Sequence, residues 1–246
     1  MNKKTGIIIG SIIVVMAALI GLAVWQGNAD TKKYDDYDVY TFIDADENNG
    51  GIADHVKGNK DAEVLIYEYA DYQCSGCASN VASVNQLVEK YKDKIGIVFR
   101  TYVLSYHTNG KAAAAATEAA GLQGYWKEYG EKLFATQNDW FYSDASQRTS
   151  QFEQYFTDVT KGKGDLDKFR SDISSSEVAD KLNFDKKMSE RVGEIQYTPA
   201  FYMDGKFIDW ANNDQTSGSN VIKNTDKKSF VDFMSEIIDK KLAEQK

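Results

Sequence analysis

Two cysteines, Cys74 and Cys77, stand three positions apart in the stretch VLIYEYADYQCSGCASNV, and the 246-residue chain has no third. Three chemistries fit such a pair: a redox dithiol, half of a metal site, or an inert staple. A zinc site needs two further ligands, and the only histidines, His55 and His107, show no ligand spacing with the cysteines. A bridge closing so short a loop adds little chain-entropy stabilisation, which weakens the staple without removing it. The redox reading makes a demand on position. A thiolate at a helix start is stabilised by unpaired N–H groups and the positive end of the macrodipole, so it attacks disulfides near neutral pH. A second thiol one turn further in can reach back and resolve the mixed disulfide. Cys74 is then expected as the exposed nucleophile and Cys77 as the more buried resolving sulfur.

The flanking residues supply the elements this requires. Residues 64–69 (VLIYEY) form a β-branched and aromatic run of strand type. Val81, Val84, Leu87, Val88 and Tyr91 then recur at helical spacing, and residues 95–103 (IGIVFRTYV) alternate as a second strand. This predicts a βαβ unit whose helix opens on the cysteines. A helical block follows: KAAAAATEAAG after Asn109 and Gly110, then residues 125–135, 147–159, 166–173 and 177–192, stopped by Gly193. His107 reads as a loop or helix-start residue. YTPAFYMDGKFID predicts two strands around an Asp204-Gly205 turn, residues 211–226 a polar loop, and residues 230–242 a final helix. Strand-rich segments on both sides of a helical block are what an insertion into one α/β fold produces.

The N-terminal region bears on compartment. Residues 6–25 carry no charge, and about 20 apolar residues match the hydrocarbon thickness of a bilayer. Lys3 and Lys4 are expected to stay cytoplasmic, which places the rest outside. A cleaved signal is the rival, with small residues at Gly27-Asn28-Ala29. Residues 26–36 read as a polar tether, and residues 38–43 as a short strand. DADENNGG imitates a calcium loop, but Asn49 and His55 stand where an EF-hand needs Gly and Glu, so a solvated acidic loop is expected. The chain carries 29 basic against 37 acidic side chains, a net charge of −8, which argues against nucleic acid and anionic lipid as partners. An oxidising exterior makes a disulfide chemically reasonable.

The chain contains one proline, Pro199, where average usage of roughly 5% would supply about a dozen. Its place directly before the hairpin suggests a required geometry, with a cis bond to Thr198 as one form of it.

GNKDAEVLIYEYADYQCSGC, followed by the helical block and TPAFYMDGK, resembles the DsbA-like thioredoxin-fold thiol:disulfide oxidoreductases, particularly the membrane-anchored or exported bacterial branch. The resemblance implies a thioredoxin fold with an inserted all-helical domain. It also implies a catalytic Cys74, a resolving Cys77, and a cis-Pro199 beside the disulfide with Thr198 facing extended substrate. Glu68 matches a buried acidic residue that moves protons during attack on Cys77; an exposed strand glutamate is the alternative. The family commonly has Pro and His between the cysteines, where this chain has Ser75 and Gly76. Lacking that imidazole, Cys74 is expected above the pKa of about 3.5 found in DsbA.

The expected organisation is a cytoplasmic tail (1–5), a transmembrane signal-anchor (6–25), a tether and acidic loop (26–55), a thioredoxin-fold domain (56–105 and 193–246) and the helical insertion (106–192). The expected function is disulfide introduction into exported cysteine-containing proteins, with no cofactor and a DsbB-like or VKOR-like quinone-linked membrane partner. The alternatives are a reductase or isomerase of the same fold, or a non-catalytic thioredoxin-fold binding or chaperone module.

Overall fold

The computed structural model describes residues 33–193, 195–212 and 220–244. Residues 33–38 fall in a separate unit from residue 39 onward and hold turns and a bend. The expected anchor (6–25) and the first part of the tether lie outside the described residues, and no described helix is long and apolar enough to cross a membrane.

From residue 39 the chain builds one six-stranded sheet: β1 (His55–Gly58), β2 (Val64–Ala70), β3 (Ile95–Thr101), β4 (Ala200–Met203), β5 (Lys206–Asp209) and β6 (Val221–Lys223), in spatial order β1-β3-β2-β4-β5-β6. β2 and β3 run parallel because helix α1 (Ser75–Tyr91) carries the chain back between them. β4 is antiparallel to both β2 and β5. The β4–β5 turn places Asp204 and Gly205 at φ 50° and 75°, the left-handed pair that a tight hairpin needs.

Side-chain alternation sorts the faces. On β2, Val64, Ile66 and Glu68 point one way and Tyr67 and Tyr69 the other. The first face packs with Val84 and Leu87 of α1 and Phe233, Met234 and Ile238 of α8 (Phe230–Glu244). The second buries Tyr67, Tyr69, Val98 and Tyr202.

Between β3 and β4 lie α2 (Gly110–Gly121), α3 (Trp126–Ala135), α4 (Gln137–Trp140), α5 (Ala145–Thr160), α6 (Leu166–Asp172) and α7 (Ser176–Val192). The alanine run makes α2 a helix buried nearly all round, its small side chains letting neighbours approach closely. Around it gather Tyr129, Leu133, Trp140, Phe156 and Phe169, and the same apolar cluster contains Ala70, Tyr72, Cys74 and Cys77. The cysteines sit where the core of the insertion meets the sheet.

Two expectations for the N-terminal part are corrected. Residues 38–43 form no strand, and the acidic loop after them is not merely solvated, because the segment from Val39 to Asp54 is tied to the sheet. Arg100 of β3 is fully buried and donates to the carbonyls of Val39 (2.6 Å) and Thr41 (3.0 Å) and to the Asp54 carboxylate (2.6 Å). Asp54 also accepts from the Ile43 amide and pairs with Lys181 of α7. The acidic loop spends its side chains locally, with Asp46 and Asn49 forming a reciprocal cap on a short 3-10 turn. β1, α4 and β6 are absent from the sequence-level expectation because each has only three or four residues, too few to display a period.

Candidate active site

Cys74 is the N-cap of α1, with extended backbone (φ −79°, ψ 121°). Its amide donates to the Asp71 carbonyl at 2.9 Å, closing the turn that presents the sulfur. Both cysteines are free thiols. Cys74 is 8% exposed and Cys77 1%. The asymmetry runs in the expected direction but is smaller than expected, because residues 198–199 cover the first sulfur.

The Thr198–Pro199 bond is cis. The Thr198 carbonyl lies against Cys74, whose thiol donates to it at 3.2 Å. The Thr198 hydroxyl is buried and makes no hydrogen bond among the described residues while Cys74 is a thiol. That side chain favours the ionised form of Cys74, while the carbonyl of the same residue accepts from the thiol. A hydrogen bond from the Cys77 thiol lowers the Cys74 pKa most; burial opposes it, and Thr198 and the amides of Gly76 and Cys77 add to the lowering. The result is about 5. This lies between the roughly 3.5 of DsbA and the roughly 7 of thioredoxin. Burial and the neighbouring Cys74 push Cys77 well up. One sulfur is ready to attack or leave, and the other holds its proton.

Gly76 has a steric role as well. A Cβ there would lie 3.3 Å from the Thr198 carbonyl oxygen and 3.5 Å from the Cys74 sulfur, so its absence lets the loop close on Cys74. Ser75 is exposed at the first helical position.

Glu68 lies on the α1 face of the sheet, paired in register with Phe99 and Phe201. It is buried, and its Oε2 atom has no hydrogen-bond partner among the described residues. Burial raises its pKa against the opposing charge of Lys57 on β1, itself buried. The same carboxylate raises the Cys77 thiol, so the two groups share one electrostatic environment. An exposed strand glutamate is thereby ruled out.

The structure assembles Cys74, Cys77, Ser75, Gly76, Thr198, Pro199 and Glu68 at one place. It adds groups that sequence reasoning left out. Lys57 carries no motif. Asp71, Gln73, Asn109 and Gln137 surround the turn before Cys74 with hydrogen bonds. His107, read from sequence as a loop or helix-start residue, stands in the loop before α2 and pairs with Asp71 through Nδ1 at 2.7 Å.

Comparison with known proteins agrees with this geometry. The family model described as thioredoxin matches residues 51–224. BdbD from Bacillus subtilis, in its oxidised crystal structure, superposes with a TM-score of 0.58 at 21% identity, covering 82% of this chain and 99% of that one. The alpha-DsbA1 of Wolbachia pipientis gives 0.57 at 23% identity over 78% of this chain and 94% of the other. Among curated sequences, "Na(+)/H(+) antiporter NhaA 1" of Mycobacterium sp. (strain KMS) is 31% identical over 156 residues, 62% of this chain and 24% of the relative. The chain therefore spans about a quarter of the length of that relative. The match over residues 51–224 places this chain in the thioredoxin family, and the cysteine pair at a helix start, the cis-proline loop over it and the helical block between β3 and β4 agree with the DsbA-like form of the fold.

Proposed function

We propose that this chain is a thiol:disulfide oxidoreductase working outside the cytoplasm, tethered by residues 6–25, and that it introduces disulfides into exported proteins. The observation that carries the reading is the split between the two sulfurs. Cys74 is pulled down to about 5 and Cys77 is pushed well above an ordinary thiol.

The steps follow from that split. In the disulfide form, a substrate thiolate attacks the Cys74 sulfur, and the Cys74–Cys77 bond breaks as the new S–S bond forms. Cys77 leaves as a thiolate and takes a proton, for which the protonated Glu68 is the nearby source. A second substrate thiolate then attacks the substrate sulfur of the mixed disulfide. Cys74 departs as a stabilised thiolate, and a low-pKa thiol leaves fast. The substrate has lost two electrons and the enzyme holds the dithiol. Return to the disulfide passes the two electrons to a quinone-linked membrane protein of DsbB or VKOR type.

Trapping tests the roles. Cys77→Ser is expected to accumulate mixed disulfides with exported proteins, and Cys74→Ser none; equal trapping by both variants or by neither overturns the assignment. Direction is tested by the potential of the pair. Oxidation predicts a value between those of DsbA (about −120 mV) and thioredoxin (about −270 mV), on the DsbA side; a value at the thioredoxin end selects the reductase.

A further inference from the structure

The turn of residues 71–74 is held by more hydrogen bonds than its burial requires. The Cys74 carbonyl already accepts the first helical bond of α1, from the Ala78 amide at 3.1 Å. Gln137 nonetheless directs its Nε2 to that carbonyl (3.1 Å) and to the Tyr72 carbonyl (2.8 Å). The Asp71 carboxylate is already satisfied by two backbone amides, Gln73 (2.8 Å) and Leu104 (2.9 Å). His107 adds a third donor. Gln73, next to the nucleophile, is fixed at both ends of its amide, donating to the Phe141 carbonyl and accepting from the Asn109 amide. All of these outside partners come from the helical insertion or the loop leading into it. Simple satisfaction of buried polar groups calls for one partner each. Extra partners on the same atoms restrict where the atoms can sit.

The position restricted is that of the reacting sulfur. Asp71 faces both cysteines through its backbone, its carbonyl accepting from the Cys74 amide and its amide turned toward the Cys77 sulfur. We propose that Gln137 and His107 are positioning residues through which the insertion presses the 71–74 turn toward Thr198, setting the distance at which Thr198 meets the Cys74 sulfur. This rests on the reading of Cys74 as the nucleophile, and assigns the insertion a part in redox tuning.

The test uses the full chain and four proteins: the parent, Gln137→Met, His107→Ala and His107→Asn. Methionine keeps the length of Gln137 and loses the donor. Asparagine offers an amide near the place of the histidine Nδ1. Thiolate absorbance titrates Cys74, glutathione buffers report the dithiol–disulfide equilibrium, and hydrogen exchange follows the Cys74 amide. Gln137→Met and His107→Ala are each expected to raise the Cys74 pKa by about one unit. They shift the glutathione equilibrium about tenfold toward the disulfide, a potential about 30 mV lower. The Cys74 amide should exchange several-fold faster in both, and His107→Asn should match the parent. Folded variants that titrate and equilibrate as the parent overturn the proposal. His107→Asn behaving as His107→Ala overturns it for His107, since a ring property other than the hydrogen bond is then at work. If Gln137→Met does not fold, the two His107 variants decide. A parent that oxidises no thiols while the variants still shift removes the functional reading and leaves the positioning role standing. An active parent with unmoved variants does the reverse.

Discussion

Two buried charged regions in this molecule are built in opposite ways. Asp54, Arg100, Lys181 and Asp185 join β3, α7 and the segment before β1, and their charged groups are bonded to one another and to backbone. Glu68, under the cysteines, has an oxygen with no partner among the described residues. Burial alone would raise both Asp54 and Glu68. At Asp54, Lys181 and Arg100 outweigh it and hold the carboxyl below its ordinary value. At Glu68, Lys57 does not, and the carboxyl stays raised. A saturated carboxylate holds parts of a fold together, whereas an under-satisfied one can pick up and release a proton during a reaction. The contrast holds between Asp54 and Glu68 themselves: Asp185, although paired with Lys181 and bonded to the Thr101 amide, is also raised by burial, so it is the two cations at Asp54 that make the difference.

The largest expected effect breaks the first region. Arg100→Met leaves Asp54 and Asp185 facing Lys181 alone, and breaking a buried pair costs about 3–5 kcal/mol. Urea unfolding measures it, with the Cys74 titration expected to stay in place in the folded protein. A loss under about 1 kcal/mol removes the structural side of the comparison.

Glu68→Gln breaks the second region and should do so in activity rather than stability. Losing a positioned acid–base group costs roughly 100-fold in turnover, read as the rate of thiol oxidation. Stability should hold or rise, since the variant buries no charge. The two carboxylates also bend the pH profile in opposite senses. Asp54, depressed in the fold, contributes stability present above its unfolded value of about 3.9 and lost as pH falls through its folded value. Glu68, raised in the fold, keeps its proton where the unfolded chain has lost it. It therefore lowers stability as pH climbs from about 4.3 toward its folded value. Glu68→Gln should flatten that upper decline and leave the acid limb unchanged. Unfolding curves across pH 3–8 for the two proteins test this.

Thr198→Val sharpens the site's own balance. It removes the hydroxyl, which favours the ionised sulfur, and keeps the carbonyl that meets the thiol. The Cys74 pKa should rise by about one unit, equivalent to about 1.4 kcal/mol. An unchanged titration shows that the hydroxyl does not serve the thiolate.

The smallest effect is expected at Gly76→Ala. Its Cβ presses on the Thr198 carbonyl at 3.3 Å, which this loop can absorb with a shift of a few tenths of an ångström. The pKa should rise by less than half a unit, a fraction of the Thr198→Val effect. A larger change would mean that the loop is stiffer than the contact distance implies.

What was legible in the sequence was local. The period of residues 81–91, the β-branched run before the cysteines, the alanine-rich helix and the Asp204-Gly205 turn all express preferences carried by neighbouring residues, and each became the expected element. The placement of Cys74 at the start of α1 follows from the same short-range pattern. Tertiary structure decided everything that depended on which surfaces meet. Alternation on β2 set the face of Glu68, but only the packing of α1, α8 and the insertion determined that this face is dry and its pKa raised. Asp71 meets His107 across 36 positions and Cys74 meets Gln137 across 63, separations at which no periodicity extends from one partner to the other. Residues 38–43 read as a short strand and the stretch after them as a solvated acidic loop because their anchor, Arg100, lies on a distant strand. Local preference specifies an element within a few residues, while the poise of a buried group depends on desolvation and charges contributed by remote segments of the chain.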